Sequence, residues 1–186
     1  MPESLGKPLS SPSGSAEPLD AVIGLGSNLG ERAGALELGA AGLAEIGSIV
    51  GRSFVYETAP VGPPQPHFLN AAVRLRTELA PSQLMAALLE IERRAGRERR
   101  ERWGPRTLDL DLLWIEGRCV EEPGLVVPHP RLHERAFALL PLLDVAPDAA
   151  DPRTGQAYAA IAATLDGADA RRVGPTEFSW RLDARG

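Results

Sequence analysis

The apolar residues of this chain recur with two different periods, and each period predicts one kind of element. In residues 68–78 apolar side chains occupy alternate positions, which is typical of a strand with one buried face. Farther along, Leu84, Leu88 and Ile91 are spaced as one stripe of a helix. Because proline suits the first turn of a helix, Pro81 is predicted to mark the start of that element.

Applied to the whole chain, the two periods predict a short alternation of strands and helices. Strands are predicted at residues 21–25, 49–58, 68–78 and 107–115, with further short strands within 120–127. Helices are predicted at residues 31–46, 81–96, 133–145 with an interruption at Pro141, and 157–165. This order predicts an α+β fold, a ferredoxin-like sandwich with a β-α-β-β-α-β core. Its antiparallel sheet would carry helices on one face, with additional C-terminal helices.

The amino-acid composition of the first 19 residues differs from that of the rest of the chain. Residues 1–19 are rich in serine, proline and glycine without apolar periodicity, which predicts a flexible tail. Residues 20–186 contain no internal repeat and are long enough to bury one core, so they are predicted to be a single domain. Cys119 is the only cysteine, which excludes an intramolecular disulfide. We find no signal-peptide pattern and no apolar run of about 18 residues, so we expect a cytoplasmic protein that does not bind membranes.

Charge limits the classes of ligand. A net charge of −5 argues against a general nucleic-acid binder, whose surface would be basic overall. The only lysine is Lys7, in the predicted tail, so a P-loop is excluded for the folded part. Seven arginines nevertheless fall between Arg93 and Arg106. Such a cluster suits a small polyanion, and it is also typical of a solvated helix end.

The glycine-rich segment GLGSNLG occupies residues 24–30, directly after the first predicted strand. Glycine-rich loops can bind phosphate, but neither the P-loop nor the full dinucleotide-binding pattern is present. We therefore interpret the segment as a tight turn, with Ser27 or Asn28 capping the helix that follows.

The run RWGPRTLDLD at residues 102–111 carries the most specific chemistry. On a strand, Asp109 and Asp111 would lie on one face, about 7 Å apart, with leucines on the other face. Like charges at that spacing repel, and Mg²⁺ ions shared with a polyphosphate would relieve the repulsion. The upstream arginines would bind the remaining phosphates. The run indicates phosphoryl transfer from a nucleotide, although a solvated sheet face shows the same alternation.

Other residues suit a flat heterocycle or a phosphate. Phe68 and Asn70 would share a strand face, where an aromatic ring stacks on a heterocycle and a carboxamide binds its edge. A core phenylalanine beside a strand-edge asparagine is the alternative. His129 lies between two prolines, either as a phosphate ligand or as part of a structural turn. Arg135 and Phe137 share a face if the segment is extended and diverge if it is helical.

Four segments recur in the order and spacing of a known family: GLGSNLG, YETAPVGPPQPHFLNAAV, GRERRERWGPRTLDLDLL and VPHPRLHERAF. They resemble 6-hydroxymethyl-7,8-dihydropterin pyrophosphokinase, over residues 22–148. The resemblance implies a ferredoxin-like diphosphotransferase that moves the pyrophosphoryl group of ATP to the hydroxymethyl group of the dihydropterin. AMP would be released, in one step of folate biosynthesis. It also implies two Mg²⁺ ions, and we expect a monomer.

By motif position, the resemblance assigns a role to each matching residue. The metal ligands would be Asp109 and Asp111, and the catalytic set would be Arg97, Arg99, Arg106, Asp109 and Asp111. ATP would contact Glu92, Arg99, Trp103, Arg106, His129 and Arg135. The pterin pocket would contain Thr58, Val61, Phe68, Asn70 and Phe137. Many family members have tyrosine at the Phe68 position and proline at the Ala59 position, and both departures leave stacking possible.

Two other functions remain open on the residues alone. A non-enzymatic ferredoxin-like binding module would not require paired carboxylates beside arginines. A different metal-dependent nucleotidyl transferase would release pyrophosphate instead of AMP. The nucleotide product formed from ATP, Mg²⁺ and the pterin would separate the three.

Overall fold

Strands and helices follow one another largely in the order that the apolar pattern predicts. The computed structural model describes residues 17–60, 64–96, 107–165 and 170–173. The strands are β1 (Leu19–Ser27), β2 (Ser48–Arg52), β3 (Val55–Thr58), β4 (Phe68–Thr77), β5 (Asp109–Ile115), β6 (Val120–Glu122), β7 (Leu125–Val127) and β8 (Ala170–Val173). The helices are α1 (Arg32–Ile46), α2 (Pro81–Arg94), α3 (Ala136–Val145) and α4 (Tyr158–Ala162), with a 3-10 turn at Leu132–Glu134.

The main sheet is antiparallel throughout, in the order β5-β1-β4-β3-β8, and β2 pairs with β4. Strand β1 is interior: it pairs with β4 on one side and with β5 on the other. Its residues Ala21, Val22 and Ile23 are fully buried, which explains the apolar run at this point of the sequence. Strands β6 and β7 form a separate hairpin. The fold is therefore a mixed α/β architecture around one antiparallel sheet.

One face of the sheet packs against α1 and α2. Alternate positions of β1, β4 and β5 turn toward this core, as period-two alternation requires. The predicted leucine face of the aspartate strand is confirmed, because Leu108, Leu110 and Leu112 all belong to this core. The α2 prediction is also confirmed, since the helix begins at Pro81 and buries Leu84, Leu88 and Ile91.

Helix α3, one of the additional C-terminal helices, packs on the opposite face of the sheet, so the prediction of helices on one face holds for α1 and α2 but does not extend to α3. Val22, Leu113 and Trp114 form a second core with apolar side chains of α3, and Tyr158 at the start of α4 joins it. Val22 and Leu113 reach this face by ordinary alternation, whereas Trp114 reaches it through a bulge in β5, where the pairing with β1 shifts between Val22 and Ile23. The extra residue places Leu113 and Trp114 on the same face, and α3 covers both.

Two predictions were wrong around the glycine-rich segment: the end of the first strand and the residue that caps α1. Strand β1 continues to Ser27, so the turn begins at Asn28 and uses Gly30, whose φ of +62° suits glycine. The N-cap of α1 is Glu31, and neither Ser27 nor Asn28 caps the helix. Instead, the Asn28 Nδ2 donates to the Gln65 Oε1 at 3.0 Å. The side chain of Asn28 thus ties this turn to the end of the proline-rich loop.

Other differences concern residues 49–58 and the C-terminal third. The predicted strand at 49–58 is two strands, because Ser53 leaves the ladder and its Oγ accepts the backbone N–H of Ala72 at 2.7 Å. Helix α3 runs through Pro141 without interruption. Strand β8 was not predicted. Among the described residues, no helix has the length and apolar character needed to cross a membrane.

Candidate active site

Asp109 and Asp111 lie on the face of β5 that turns away from α1 and α2. Both are partly exposed, whereas Leu110 between them is buried in the core. Strand β1 places Gly26 opposite Asp109 and Gly24 opposite Asp111. Since both partners are glycines, β1 adds no side chain next to the two carboxylates. The sheet thus presents two carboxylates on one face, as the alternation predicts.

His129 and Arg135 lie near the two carboxylates, where they supply an imidazole and a guanidinium group. Burial, followed by the charges of Arg135 and Arg131, lowers the pKa of His129, while Asp109 acts in the opposite direction. Burial also lowers the pKa of Arg135, against the attraction of Asp111 and Asp109. The imidazole and the guanidinium therefore both lie within electrostatic range of Asp109, and the guanidinium also within range of Asp111.

The backbone around His129 fixes the orientation of its ring. The N–H of His129 donates to the carbonyl of Leu113 at 2.8 Å, which docks this segment on β5. The N–H of Arg131 donates to the His129 Nδ1 at 3.2 Å. Because Nδ1 accepts a hydrogen bond, the ring is neutral and its proton lies on Nε2. The ring can therefore donate from Nε2 to a ligand oxygen.

Arg135 and Phe137 share one side of their segment. Arg135 precedes α3 with extended backbone angles (φ −120°, ψ 97°), and Phe137 lies in the first turn of the helix. The guanidinium carbon lies 5.6 Å from the centre of the Phe137 ring, a cation–π distance. The sequence left open whether Arg135 and Phe137 share a face. The extended backbone of Arg135 places them on the same side.

Phe68 and Asn70 lie on the sheet face that also carries the carboxylates, because they alternate with Leu69 of the α1–α2 core. Asn70 is buried, and its Nδ2 donates to the Thr58 Oγ1 at 2.7 Å. This bond joins β3 to β4 and fixes the plane of the carboxamide. Phe68 is half-buried beside it, in register with Thr58.

Gly26 connects the two halves of the cluster. In register it lies opposite Asn70 on β4 and opposite Asp109 on β5. A Cβ atom at this position would lie 3.3 Å from the Asn70 Oδ1 and 3.9 Å from the Phe68 Cδ1. It would also lie 4.0 Å from the Asp109 Cβ. The bare backbone of Gly26 therefore forms a floor between the candidate pterin residues and the candidate metal ligands.

Glu92 lies under the edge of β5. It is buried, and its Oε1 accepts the backbone N–H of Leu110 at 2.8 Å. This hydrogen bond supports the strand that carries Asp109 and Asp111. The contact of Glu92 with ATP stays a prediction.

Five of the predicted site residues lie outside the described part of the chain: Val61, Arg97, Arg99, Trp103 and Arg106. The described residues bring together Thr58, Phe68, Asn70, Asp109, Asp111, His129, Arg135 and Phe137, on or beside one face of the sheet. Within that described part, no group of three or more His, Cys, Asp or Glu side chains is arranged to hold a metal ion.

Sequence reasoning missed three contributors to the site. Gly26 was assigned to a turn, although two glycines spaced by two at a strand end are a signal for an open strand face. No role was predicted for His67, yet its carbonyl accepts a hydrogen bond from Arg32 at 2.9 Å. Asn28 was taken as a cap and instead binds the proline-rich loop. No local signal identifies the last two, because both partners are more than 30 residues away.

Comparison with known proteins places the chain in one class of protein, the pyrophosphokinases. Residues 22–147 match the family model described as 7,8-dihydro-6-hydroxymethylpterin-pyrophosphokinase. The chain is 44% identical over 148 residues to a 2-amino-4-hydroxy-6-hydroxymethyldihydropteridine pyrophosphokinase of Synechocystis sp., covering 78% of this chain and 76% of that protein. It is 47% identical over 131 residues to the protein of the same name from Methylorubrum extorquens, covering 69% and 83%. The chain belongs to the 7,8-dihydro-6-hydroxymethylpterin-pyrophosphokinase family, and the expected resemblance is confirmed.

Solved structures share the fold. The wild-type HPPK-DHPS of Plasmodium falciparum with pterin and p-hydroxybenzoate superposes with a TM-score of 0.63 at 17% identity, over 81% of this chain and 42% of that one. An HPPK-DHPS in complex with substrates gives a TM-score of 0.65 at 14% identity, over 80% and 43%. At these identities the likeness concerns the fold alone. The chain spans less than half the length of these two solved chains.

Proposed function

We propose that the chain transfers the pyrophosphoryl group of ATP to the hydroxymethyl group of 6-hydroxymethyl-7,8-dihydropterin and releases AMP, as a step of folate biosynthesis. Family membership supports the reaction. The observation that carries the assignment to this site is the double register of Gly26, opposite Asn70 and opposite Asp109. A heterocycle bound at Asn70 would extend its substituent across Gly26 toward a phosphate bound near Asp109.

The donor set at β5 fits Mg²⁺. Two carboxylates on one sheet face suit a hard cation that keeps waters and phosphate oxygens among its ligands. Asp109 and Asp111 would hold the metal, and we propose two ions. When bound, Mg²⁺ would neutralise phosphate charge and lower the pKa of the attacking hydroxyl group.

The cationic and neutral donors beside the carboxylates would position the triphosphate. Arg135 would donate to phosphate oxygens with a guanidinium that is half-buried, where its charge is screened less by solvent. His129 would donate from Nε2, the nitrogen left protonated when Nδ1 accepts the N–H of Arg131. The pterin hydroxyl oxygen would attack the β-phosphorus while the bond from that phosphorus to the α-phosphate oxygen breaks. The main contribution of the protein would therefore be to position the reacting groups.

Asn70 would recognise the edge of the pterin. Its plane is fixed by the bond to Thr58, so the carboxamide presents one orientation to the ring. Phe68 and Phe137 would sandwich the pterin between two aromatic rings. The 5.6 Å contact of Arg135 with Phe137 would then link the pterin side to the phosphate side.

The remaining parts of the proposal rest on motif position. Val61 would line the pterin pocket, and ATP contacts would come from Glu92, Arg97, Arg99, Trp103 and Arg106. The core would be ferredoxin-like, which the strand order β5-β1-β4-β3 supports. We further propose one pyrophosphokinase domain that acts as a cytoplasmic monomer; the predicted domain start at residue 20 is one residue late, because Leu19 is already buried in β1 and paired with Thr77.

The reaction is tested by its nucleotide product. The full chain is incubated with ATP, Mg²⁺ and 6-hydroxymethyl-7,8-dihydropterin, and nucleotides are separated by chromatography. AMP should accumulate in equal amount to the pterin diphosphate, and omission of the pterin should stop it. Release of pyrophosphate would identify a nucleotidyl transferase instead, and no nucleotide product would overturn the proposal.

A further inference from the structure

We infer that Glu57 is a positioning residue for the pterin pocket, which it holds from behind through a charged bridge. The Glu57 bridge consists of Arg171, Glu57, Arg32 and the carbonyl of His67. It joins β8, β3, the start of α1 and the residue before β4. The inference rests on the proposed function, because it names a support for the pterin half of that site.

The bridge is continuous in its contacts. The Arg171 Nη2 donates to the Glu57 Oε2 at 2.8 Å. The Arg32 Nη1 donates to the other oxygen, Oε1, at 3.1 Å. The same Arg32 nitrogen donates to the carbonyl of His67 at 2.9 Å. One carboxylate thus binds two guanidinium groups, and one of these also holds the peptide that precedes Phe68.

Glu57 lies directly behind the pocket. In the pairing of β3 with β4, Glu57 is opposite Leu69, while its neighbours Thr58 and Tyr56 are opposite Phe68 and Asn70. Leu69 belongs to the α1–α2 core, so Glu57 is on that face of the sheet and the pocket is on the other. A shift of Glu57 would move Thr58, whose hydroxyl fixes the carboxamide of Asn70.

The two arms of the bridge differ in their exposure to solvent. Side-chain exposure is 22% for Glu57 and 31% for Arg32, but 72% for Arg171. The Arg171 bond is the shorter, but the less exposed Arg32 arm is screened less by solvent and also holds the His67 carbonyl, so it matters more for the position of β4. The hydrogen bond from Arg171 and then that from Arg32 lower the pKa of Glu57 against the effect of burial. The carboxylate is therefore charged at neutral pH and can hold both arms.

The bridge also brings in a segment beyond the matched family region. Strand β8 pairs with β3 and supplies Arg171, yet it lies after residue 147, where the family match ends. Ala170 is in register with Thr58, so β8 flanks the residues that hold Asn70. The C-terminal strand consequently contributes to the pterin pocket without touching the ligand.

The test compares Glu57→Gln, Arg32→Gln and Arg171→Gln with the matched control Glu45→Gln. Glu45 is an exposed carboxylate of α1 that also binds a guanidinium, that of Arg94, at 2.7 and 3.0 Å. For each full-length variant, KM is measured for pterin at saturating ATP and for ATP at saturating pterin. Thermal unfolding is followed in parallel.

Loss of the bridge should raise the pterin KM by about 3- to 10-fold in Glu57→Gln and Arg32→Gln, and by about 2-fold in Arg171→Gln. The ATP KM and kcat should stay within about 2-fold, and Glu45→Gln should match the wild type. The double variant Glu57→Gln/Arg32→Gln should be no worse than either single variant, because both remove one bridge.

A lower melting temperature with an unchanged pterin KM would overturn the inference, and so would equal rises in both KM values. If Glu57→Gln fails to fold, Arg32→Gln, which removes the contacts to both Glu57 and the His67 carbonyl, decides by the same criteria. A wild-type chain that forms no AMP would overturn the proposed function and the inference together. Pterin-dependent AMP formation with unaltered variants would overturn the inference alone.

Discussion

The Glu92 carboxylate accepts a 2.8 Å hydrogen bond from the backbone N–H of Leu110, the residue between the two candidate metal ligands. Glu92 is 1% exposed and belongs to α2, so the contact ties a helix to the strand that carries the carboxylates. Support of this kind holds the spacing of Asp109 and Asp111 before any ligand binds.

Replacing Glu92 should therefore destabilise the protein. Glu92→Ala leaves the N–H of Leu110 buried without its acceptor, which costs about 1–3 kcal/mol. Urea denaturation followed by circular dichroism measures the change. The control is Glu90→Ala on the same helix, where the carboxylate is exposed and pairs with Arg93, and its free energy of unfolding should change by less than about 0.5 kcal/mol. Equal stability of the two variants would contradict the support role.

Removing either carboxylate of the pair should stop catalysis while leaving the fold intact. Asp109→Asn and Asp111→Asn keep the side-chain volume and remove the charge that would hold Mg²⁺. AMP formation should fall by at least about 100-fold in each, since preorganised charge stabilises the transition state. Asp148→Asn, at an exposed position, is the control and should retain full activity. Wild-type rates of AMP release in either variant would remove the metal assignment.

The two glycines of β1 should respond differently to the same methyl group. In Gly26→Ala the new Cβ would meet the Asn70 Oδ1 at 3.3 Å, within the pterin half of the site. In Gly24→Ala it would meet the Leu113 Cδ1 at 3.0 Å, within the core under α3. We expect Gly26→Ala to raise the pterin KM by about 10-fold with little loss of stability. Gly24→Ala should instead lose about 1–3 kcal/mol of stability by overpacking.

Steady-state kinetics and thermal unfolding of both variants check this contrast. A Gly26→Ala variant with a lower melting temperature and an unchanged pterin KM would show that Gly26 serves packing alone. If Gly24→Ala instead raises the pterin KM without loss of stability, the assignment of the pterin pocket to the Gly26 end of β1 is wrong.

Asp20 should make stability depend on acid pH. Burial would raise its pKa, but hydrogen bonds from Arg74 and Arg76, both at 2.8 Å, outweigh burial and hold the pKa below its ordinary value of 3.8. The stabilisation is therefore complete above pH 3.8 and is lost as the pH falls through the lower pKa of the folded state. Comparing the unfolding free energy of Asp20→Asn with the wild type should show a gap of about 1 kcal/mol at pH 6. A gap that widens below pH 3 would contradict the sign.

Local signals explain what could be predicted from the sequence. Strand β4 was recognisable because one buried face imposes alternation, and α2 because Pro81 and one apolar stripe mark its start and its core side. The aspartate strand was recognisable for the same reason, since Leu108, Leu110 and Leu112 alternate with the acids. These features depend only on neighbouring residues.

Features that depend on distant partners could not be predicted in the same way. The bulge that places Trp114 on the same face as Leu113 is a property of the pairing between β1 and β5. The role of Gly26 depends on its register with two strands far apart in sequence. The shared side of Arg135 and Phe137 depends on the dihedral angles of one residue before α3.

The interior position of β1 has a further consequence for how this architecture tolerates change. The separation of Asn70 from Asp109 equals two interstrand steps, about 9.6 Å, and is built from ladder hydrogen bonds instead of loop conformation. Insertions or replacements in the connecting loops can alter affinity for either ligand without altering this distance. The sheet thus fixes the distance between the two halves of the site, while the sequences of the surrounding loops can diverge.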